Sequence, residues 1–214
     1  MLFRSPWDLI LGHLLGRSGF FLEKAKHMKK YIRIVGGQYR RTPIEVIEAP
    51  GLRPTPDRVR ETLFNWLNYF WGGDFATKRV LDLFAGSGAL GFEAASRGVS
   101  HVQMVEQNPK AVATLRALRD KLGADAIRIH AGDAMTAIHR LEAARFDLIF
   151  LDPPFGADWL ERLWKDLPDL LEPNGLVYIE AEKAISPPPG FTLLRQDRAG
   201  VVHYQLIQID ALQK

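Results

Sequence analysis

The sequence predicts an α/β protein: a mostly parallel seven-stranded sheet with helices on both faces, an antiparallel edge hairpin, and a small basic N-terminal β-ribbon. Three observations carry that expectation. From Arg79 onward, short apolar β-type runs alternate with helical runs, the pattern of repeated βα units. The last two runs are separated only by a turn at Ala199-Gly200, which calls for an antiparallel hairpin. Positive charge collects ahead of the alternation: residues 24–60 carry ten Lys/Arg against three Asp/Glu, and residues 61–214 carry sixteen against twenty. A basic segment before a slightly acidic body suits an arm that meets a polyanion.

Taken in order, residues 1–27 read as an N-terminal extension, either a start-site extension or a dispensable helix. Met28 begins a second plausible start. The apolar stretch Trp7 to Leu15 is short and broken by Asp8, Gly12 and His13, and no small-residue cleavage site follows it. Residues 28–54 read as the basic ribbon. Tyr31 to Val35 alternates and stops at Gly36-Gly37, and a second β-type run, residues 44–47, follows Pro43. Pro50-Gly51 and Pro54-Thr55-Pro56 mark loops. Thr55 or Asp57 is placed to cap a helix running to about Trp71, with Val59, Leu63, Trp66, Leu67 and Phe70 on one face.

The main domain is expected over 55–214. Its strands are read at 80–84, 101–106, 126–130, 146–151, 176–180, 192–195 and 201–209. Helices are read at 87–97, 109–122, 134–141 and 159–171. Alternating βα units fold as a parallel sheet with covered faces.

Composition narrows the chemistry. A chain of 214 residues that is 47% hydrophobic buries a full core as one domain with a small appendage. Cysteine is absent, which excludes disulfides, thiolate-held metal clusters and thiol nucleophiles. No apolar run reaches the ~18–20 residues that span a bilayer. The six histidines show no metal-ligand spacing, and no metal is expected.

The first βα turn, Asp82-Leu83-Phe84-Ala85-Gly86-Ser87-Gly88-Ala89-Leu90-Gly91, holds a G-x-G-x-x-G pattern. Glycine there permits a tight turn and close approach of backbone to ligand. Glu106 ends the second strand, where a carboxylate can accept from both ribose hydroxyls of an adenosine. This much fits either a dinucleotide or S-adenosylmethionine. Asp82 favours the second, because a carboxylate facing the turn attracts a sulfonium ligand with an ammonium group and repels a pyrophosphate. Asp133, after the third strand, is placed to accept from the adenine amino group, with Ala134 supplying a backbone donor; alternatively it only caps the next helix. Phe84, Ala85, Gly86, Ser87 and Gly88 complete the expected donor site.

The fourth strand ends in Asp152-Pro153-Pro154-Phe155. The exocyclic amine of a nucleobase is a poor nucleophile, because its lone pair is delocalised into the ring. Acceptors aimed at its two N–H groups localise that pair. Asp152 supplies a carboxylate and Pro153 a carbonyl. Neither proline has an N–H to compete, and both have a fixed φ. The acceptors are thus preorganised for charge that develops on nitrogen. Phe155 offers a face on which the base stacks. The competing view is a plain turn, with Asp152 capping the next helix and Phe155 in the core.

Residues 82–94 together with 152–155 resemble the class I S-adenosylmethionine-dependent amino-methyltransferases. Two N-terminal motifs, Arg33-Ile34-Val35-Gly36-Gly37-Gln38-Tyr39-Arg40-Arg41 and the run from Gly51 to Leu67, are similar to the bacterial RsmD-type 16S rRNA (guanine(966)-N(2))-methyltransferases. The resemblance covers about residues 29–209. It implies a Rossmann-like class I fold, S-adenosylmethionine as cofactor, and a cytoplasmic, monomeric enzyme acting on 16S rRNA, within a 30S subunit or assembly intermediate. The family's RNA-facing part matches the basic ribbon and the Arg53–Arg60 segment, and the residues agree: Arg33, Arg40, Arg41, Arg53, Arg58 and Arg60, with Gln38 and Tyr39 among them, suit phosphates and an unstacked base, the alternative for Arg58 and Arg60 being a solvated helix face. The same amine chemistry also suits adenine N6 in DNA or glutamine in protein. An NAD-dependent oxidoreductase and a non-catalytic RNA-binding module are the rivals from other classes.

Overall fold

The computed structural model describes residues 30–47, 55–141, 144–154 and 159–210. The chain divides into two compact units, Met1–Lys30 and Tyr31–Lys214, and the second carries the main sheet. The expected extension over 1–27, Arg53 and Phe155 lie outside the described residues.

A two-stranded ribbon comes first, β1 (Lys30–Arg33) and β2 (Pro43–Val46). Helix α1 (Asp57–Phe70) follows. The sheet consists of β3 (Arg79–Asp82), β4 (His101–Glu106), β5 (Ile127–Ala131), β6 (Phe146–Leu151), β7 (Leu171–Ala181), β8 (Phe191–Ala199) and β9 (Val202–Ile209). Between them lie α2 (Ala89–Ser96), α3 (Pro109–Leu122), α4 (Ala134–Arg140), α5 (Trp159–Leu163) and α6 (Leu167–Leu170). The strand order is β5-β4-β3-β6-β7-β9-β8. Strands β3 to β7 pair in parallel, and β9 runs antiparallel to both β7 and β8.

The period of two along each strand sends side chains to two separate cores. Val80, Leu148, Phe150, Leu176, Tyr178 and Leu206 face Leu63, Phe64 and Leu67 of α1, Phe92 of α2 and Leu115 of α3. Their neighbours Leu81, Ile149, Leu151, Val177, Ile179 and Ile207 face Ala137 and Ile138 of α4, Leu163 of α5 and Leu170 of α6. Both faces are therefore covered, which is why β6 reads as a nearly unbroken apolar run.

Three local expectations are corrected. The helix expected over 159–171 is two short helices, because Pro168 opens a new helix and Leu171 already pairs with Phe146 in the sheet. Strand β8 extends to Ala199 through the polar run Arg195–Arg198, since an edge strand needs only the ladder to β9 and no buried face. No side chain caps α1: the Thr55 hydroxyl donates to Glu180 instead, and Asp57 pairs with Arg60.

The ribbon is fastened to α2. Glu93, fully buried in α2, accepts from the amides of Val35 (2.7 Å) and Gly36 (2.8 Å) and from Arg97 Nε (2.9 Å). Ser96 Oγ donates to the Gly36 carbonyl (2.5 Å) and accepts the Tyr39 amide (2.8 Å). Gly37 has φ +74°, and a Cβ there would lie 1.9 Å from the Ser96 carbonyl oxygen, so only glycine permits this approach. Covered on its outer side, α2 buries all eight of its residues.

Candidate active site

β3 and β6 are neighbours, while their chain connections run outward to β4 and β7 on opposite sides. Such a switch point opens a crevice at the carboxyl ends of the strands. The crevice is a single cleft that brings together Asp82 and the Phe84–Ser87 turn, Glu106, Asp133 and Ala134, and Asp152 to Pro154. These came from four separate stretches of sequence, each at the end of a parallel strand.

The glycine turn is held from beneath. Gly86 has φ +53°, and its amide donates to Glu106 Oε2 at 2.7 Å. Glu106 Oε1 accepts the Asn108 amide, also at 2.7 Å. Each oxygen of Glu106 thus already has one donor, and its remaining lone pairs are what a ribose would meet. Gly88, at φ +82°, caps α2, and a Cβ there would lie 2.5 Å from Leu115 Cδ2. Ser87 lies at the cleft wall, and Phe84 packs edge-on against Trp159 at 5.3 Å between ring centres.

Asp133 caps α4, accepting the Thr136 amide at 3.0 Å, and hydrogen bonds from the Thr136 hydroxyl and then from that amide hold its carboxyl below the usual range. It also lines the cleft, so capping and ligand contact are compatible.

The carboxylates crowd together. Asp82 is 2% exposed, and burial, aided by the charge of Glu106, pushes its carboxyl up to about 7. The Gly91 and Phe84 amides lie close enough to favour its charge, yet Oδ2 is buried with no hydrogen-bond partner among the described residues. Asp152 keeps an edge open to the cleft, but its carboxyl is driven well above the ordinary value by burial and then by the charges of Glu180 and Asp82.

Glu180 is a site residue that motif reading passed over. It lies one residue before the end of β7 and one position beyond the pair Leu151–Ile179, so the parallel register sets it beside Asp152. Glu180 is 4% exposed, lines the cleft, and accepts at Oε1 from Thr55 Oγ1 (2.8 Å) and Tyr178 Oη (2.9 Å). Burial raises its carboxyl, opposed by those two donors and by Arg60. Its place at the end of the apolar run read as a strand over 176–180 was the available signal. Thr55, 125 positions away, carried none.

The expected RNA contacts divide. Arg33, Gln38, Arg40, Arg41 and Arg58 are exposed. Tyr39 is half-buried against the core. Arg60 is a correction: it is fully buried, donating to the Thr55 carbonyl (2.7 Å), the Arg33 carbonyl (2.5 Å) and Asp57 Oδ1 (2.9 Å). It lies three, four and seven positions before Leu63, Phe64 and Leu67, which puts it on the apolar stripe of α1.

The buried, unpartnered Asp82 oxygen suits a cationic ligand, and the glycine turn admits a close backbone contact, so the residues present fit S-adenosylmethionine. The fold and this cleft define a class I S-adenosylmethionine-dependent methyltransferase. The profile of the family described as conserved hypothetical protein 95 matches residues 32–208, and the chain belongs to that family. It is 38% identical over 189 residues to the ribosomal RNA small subunit methyltransferase D of Escherichia coli, covering 84% of this chain and 91% of that protein. The protein of the same name from Haemophilus influenzae is 37% identical over 191 residues, 84% of this chain and 95% of the other. Among solved structures, the candidate methyltransferase yhhF from Escherichia coli superposes with a TM-score of 0.74 at 38% identity, covering 85% of this chain and 99% of that one.

Proposed function

We propose that this protein methylates the exocyclic N2 of one guanine in 16S rRNA, the guanine 966 type, within a 30S subunit or an assembly intermediate. The observation that carries the reading is the Asp152-Pro153 corner opening into the same cleft as the glycine turn. The relatives named for small-subunit rRNA support the choice of RNA.

S-adenosylmethionine, when bound, supplies an electrophilic methyl group next to a cationic sulfur. The chain's own residues do the rest. Asp82, Glu106 and the Phe84–Gly88 turn hold the donor, with Asp133 and Ala134 at the adenine end. Asp152 and the Pro153 carbonyl accept from the amine, orienting its lone pair. As the nitrogen becomes positive, the neighbouring carboxylates stabilise it. Burial, and then the charges of Glu180 and Asp82, raise the proton affinity of Asp152 and suit it to take the proton the amine releases. Pro153 and Pro154 keep competing donors out of the corner. Arg40 and Arg41 of the ribbon, with Arg33 and Arg58, take the phosphate contacts, a reading that their exposure supports.

The test is methyl transfer to 16S rRNA from a strain lacking the enzyme, free and assembled as 30S, read by mass spectrometry of the nucleosides. N2-methylguanine at one site is expected. Asp152→Ala abolishes it while leaving cofactor affinity within about twofold. Methylation at another atom, or none in either substrate, overturns the reading.

A further inference from the structure

We infer that Glu180 is the residue that selects guanine: its carboxylate accepts the N1–H of the target base, beside Asp152, which accepts from the N2 amine. This rests on the guanine reading above and names the group that enforces it.

The argument starts from the base. Guanine presents two kinds of donor side by side on its Watson–Crick edge, the ring N1–H and the N2 amine, both attached to one carbon. Adenine presents an amine beside a ring nitrogen that is an acceptor. A site for guanine therefore needs two acceptors abreast, and a site for adenine needs an acceptor beside a donor.

The sheet provides two acceptors abreast. Asp152 and Glu180 follow paired positions on adjacent parallel strands, which run about 4.8 Å apart. Both line the cleft. Glu180 is also prepared as an acceptor. Thr55 and Tyr178, themselves buried, both direct hydroxyls at Oε1. They fix the plane of the carboxylate, and among the described residues no hydrogen bond engages Oε2. No salt bridge reaches the carboxylate among those residues, and Arg60 acts on it only at a distance. The carboxylate's two donors leave the lone pairs of Oε2 to accept from the cleft, and an acceptor there is costly to leave unpaired once a base closes over it. An N1–H meets it. A ring acceptor at the same place faces a second acceptor and leaves both desolvated and unpaired, the arrangement that gives the sharpest rejection of a wrong substrate.

2-Aminopurine separates this role from the rest of the site. It carries the same exocyclic amine as guanine, on the same carbon, but its N1 is an acceptor. The experiment compares 16S rRNA bearing guanine or 2-aminopurine at the target position, free and reconstituted into 30S particles, with wild-type protein and Glu180→Gln. Wild type is expected to prefer guanine by at least ~100-fold in kcat/KM. In Glu180→Gln the amide can donate to the N1 of 2-aminopurine while still accepting from Thr55 and Tyr178, and the preference is expected to fall at least ~10-fold. An unchanged preference in the variant overturns the role of Glu180. So does equal use of the two bases by wild type, a result that does not depend on how well the variant folds. Either outcome leaves the proposed function standing, since guanine is still methylated. Failure of wild type to methylate guanine RNA in both forms sinks the proposed function itself.

Discussion

The carboxylate of Glu93 accepts the backbone amide of Val35 at 2.7 Å, joining the ribbon to the helix that begins at the glycine turn. Three donors converge on this one buried side chain: two ribbon amides and Arg97. The surface expected to meet RNA is thereby built onto the element that shapes the donor pocket.

Glu93→Ala should therefore cost about 3 kcal/mol or more, because two amides and a guanidinium lose their acceptor together. Urea unfolding is the measurement. Loss of less than about 1 kcal/mol would show that the ribbon is held by apolar contacts, such as those of Ile34 and Ile44, rather than by this carboxylate.

Two sets of arginines should behave oppositely. Arg60→Met leaves the carbonyls of Thr55 and Arg33 without their donor and should lower stability by about 3–5 kcal/mol. Arg40→Glu with Arg41→Glu should leave stability within about 1 kcal/mol, since both side chains are exposed. The double variant should bind rRNA more weakly and flatten the dependence of log affinity on log salt by roughly 1–2. Cofactor affinity should not move. RNA binding equal to wild type would remove the ribbon from the interface.

Asp82 predicts a pH dependence of both stability and binding. Its carboxyl titrates near 3.8 when unfolded and about 7 when folded. The folded state then holds the extra proton between those values, so the stability this group contributes is full below about 4 and lost as pH rises towards 7. Asp82→Asn resembles the protonated form. It should melt above wild type at pH 8, with the gap closing towards pH 4. A cationic donor requires the charged form, so wild-type affinity for S-adenosylmethionine should rise with pH up to about 7 and then level off, and the Asn variant should bind weakly at every pH. Calorimetry across pH 5–8 checks this; a flat wild-type profile would contradict the assignment of Asp82.

The order of βα units, the glycine turn and the Asp152-Pro153 corner are all legible in the residues. Each depends on a few neighbours in the chain: an apolar run with period two, a glycine where φ must be positive, a proline that fixes φ. The pairing of Asp152 with Glu180 is different in kind, since it exists only because β6 and β7 come into register. Thr55 reaches Glu180 only after α1 packs on the sheet. Arg58 and Arg60 sit two residues apart with the same charge, yet one is exposed and the other fully buried. Local patterning specifies which elements form and where they turn. Which charges end up desolvated, and against whom, is decided by long-range packing, because burial belongs to everything that covers a side chain and not to the side chain alone.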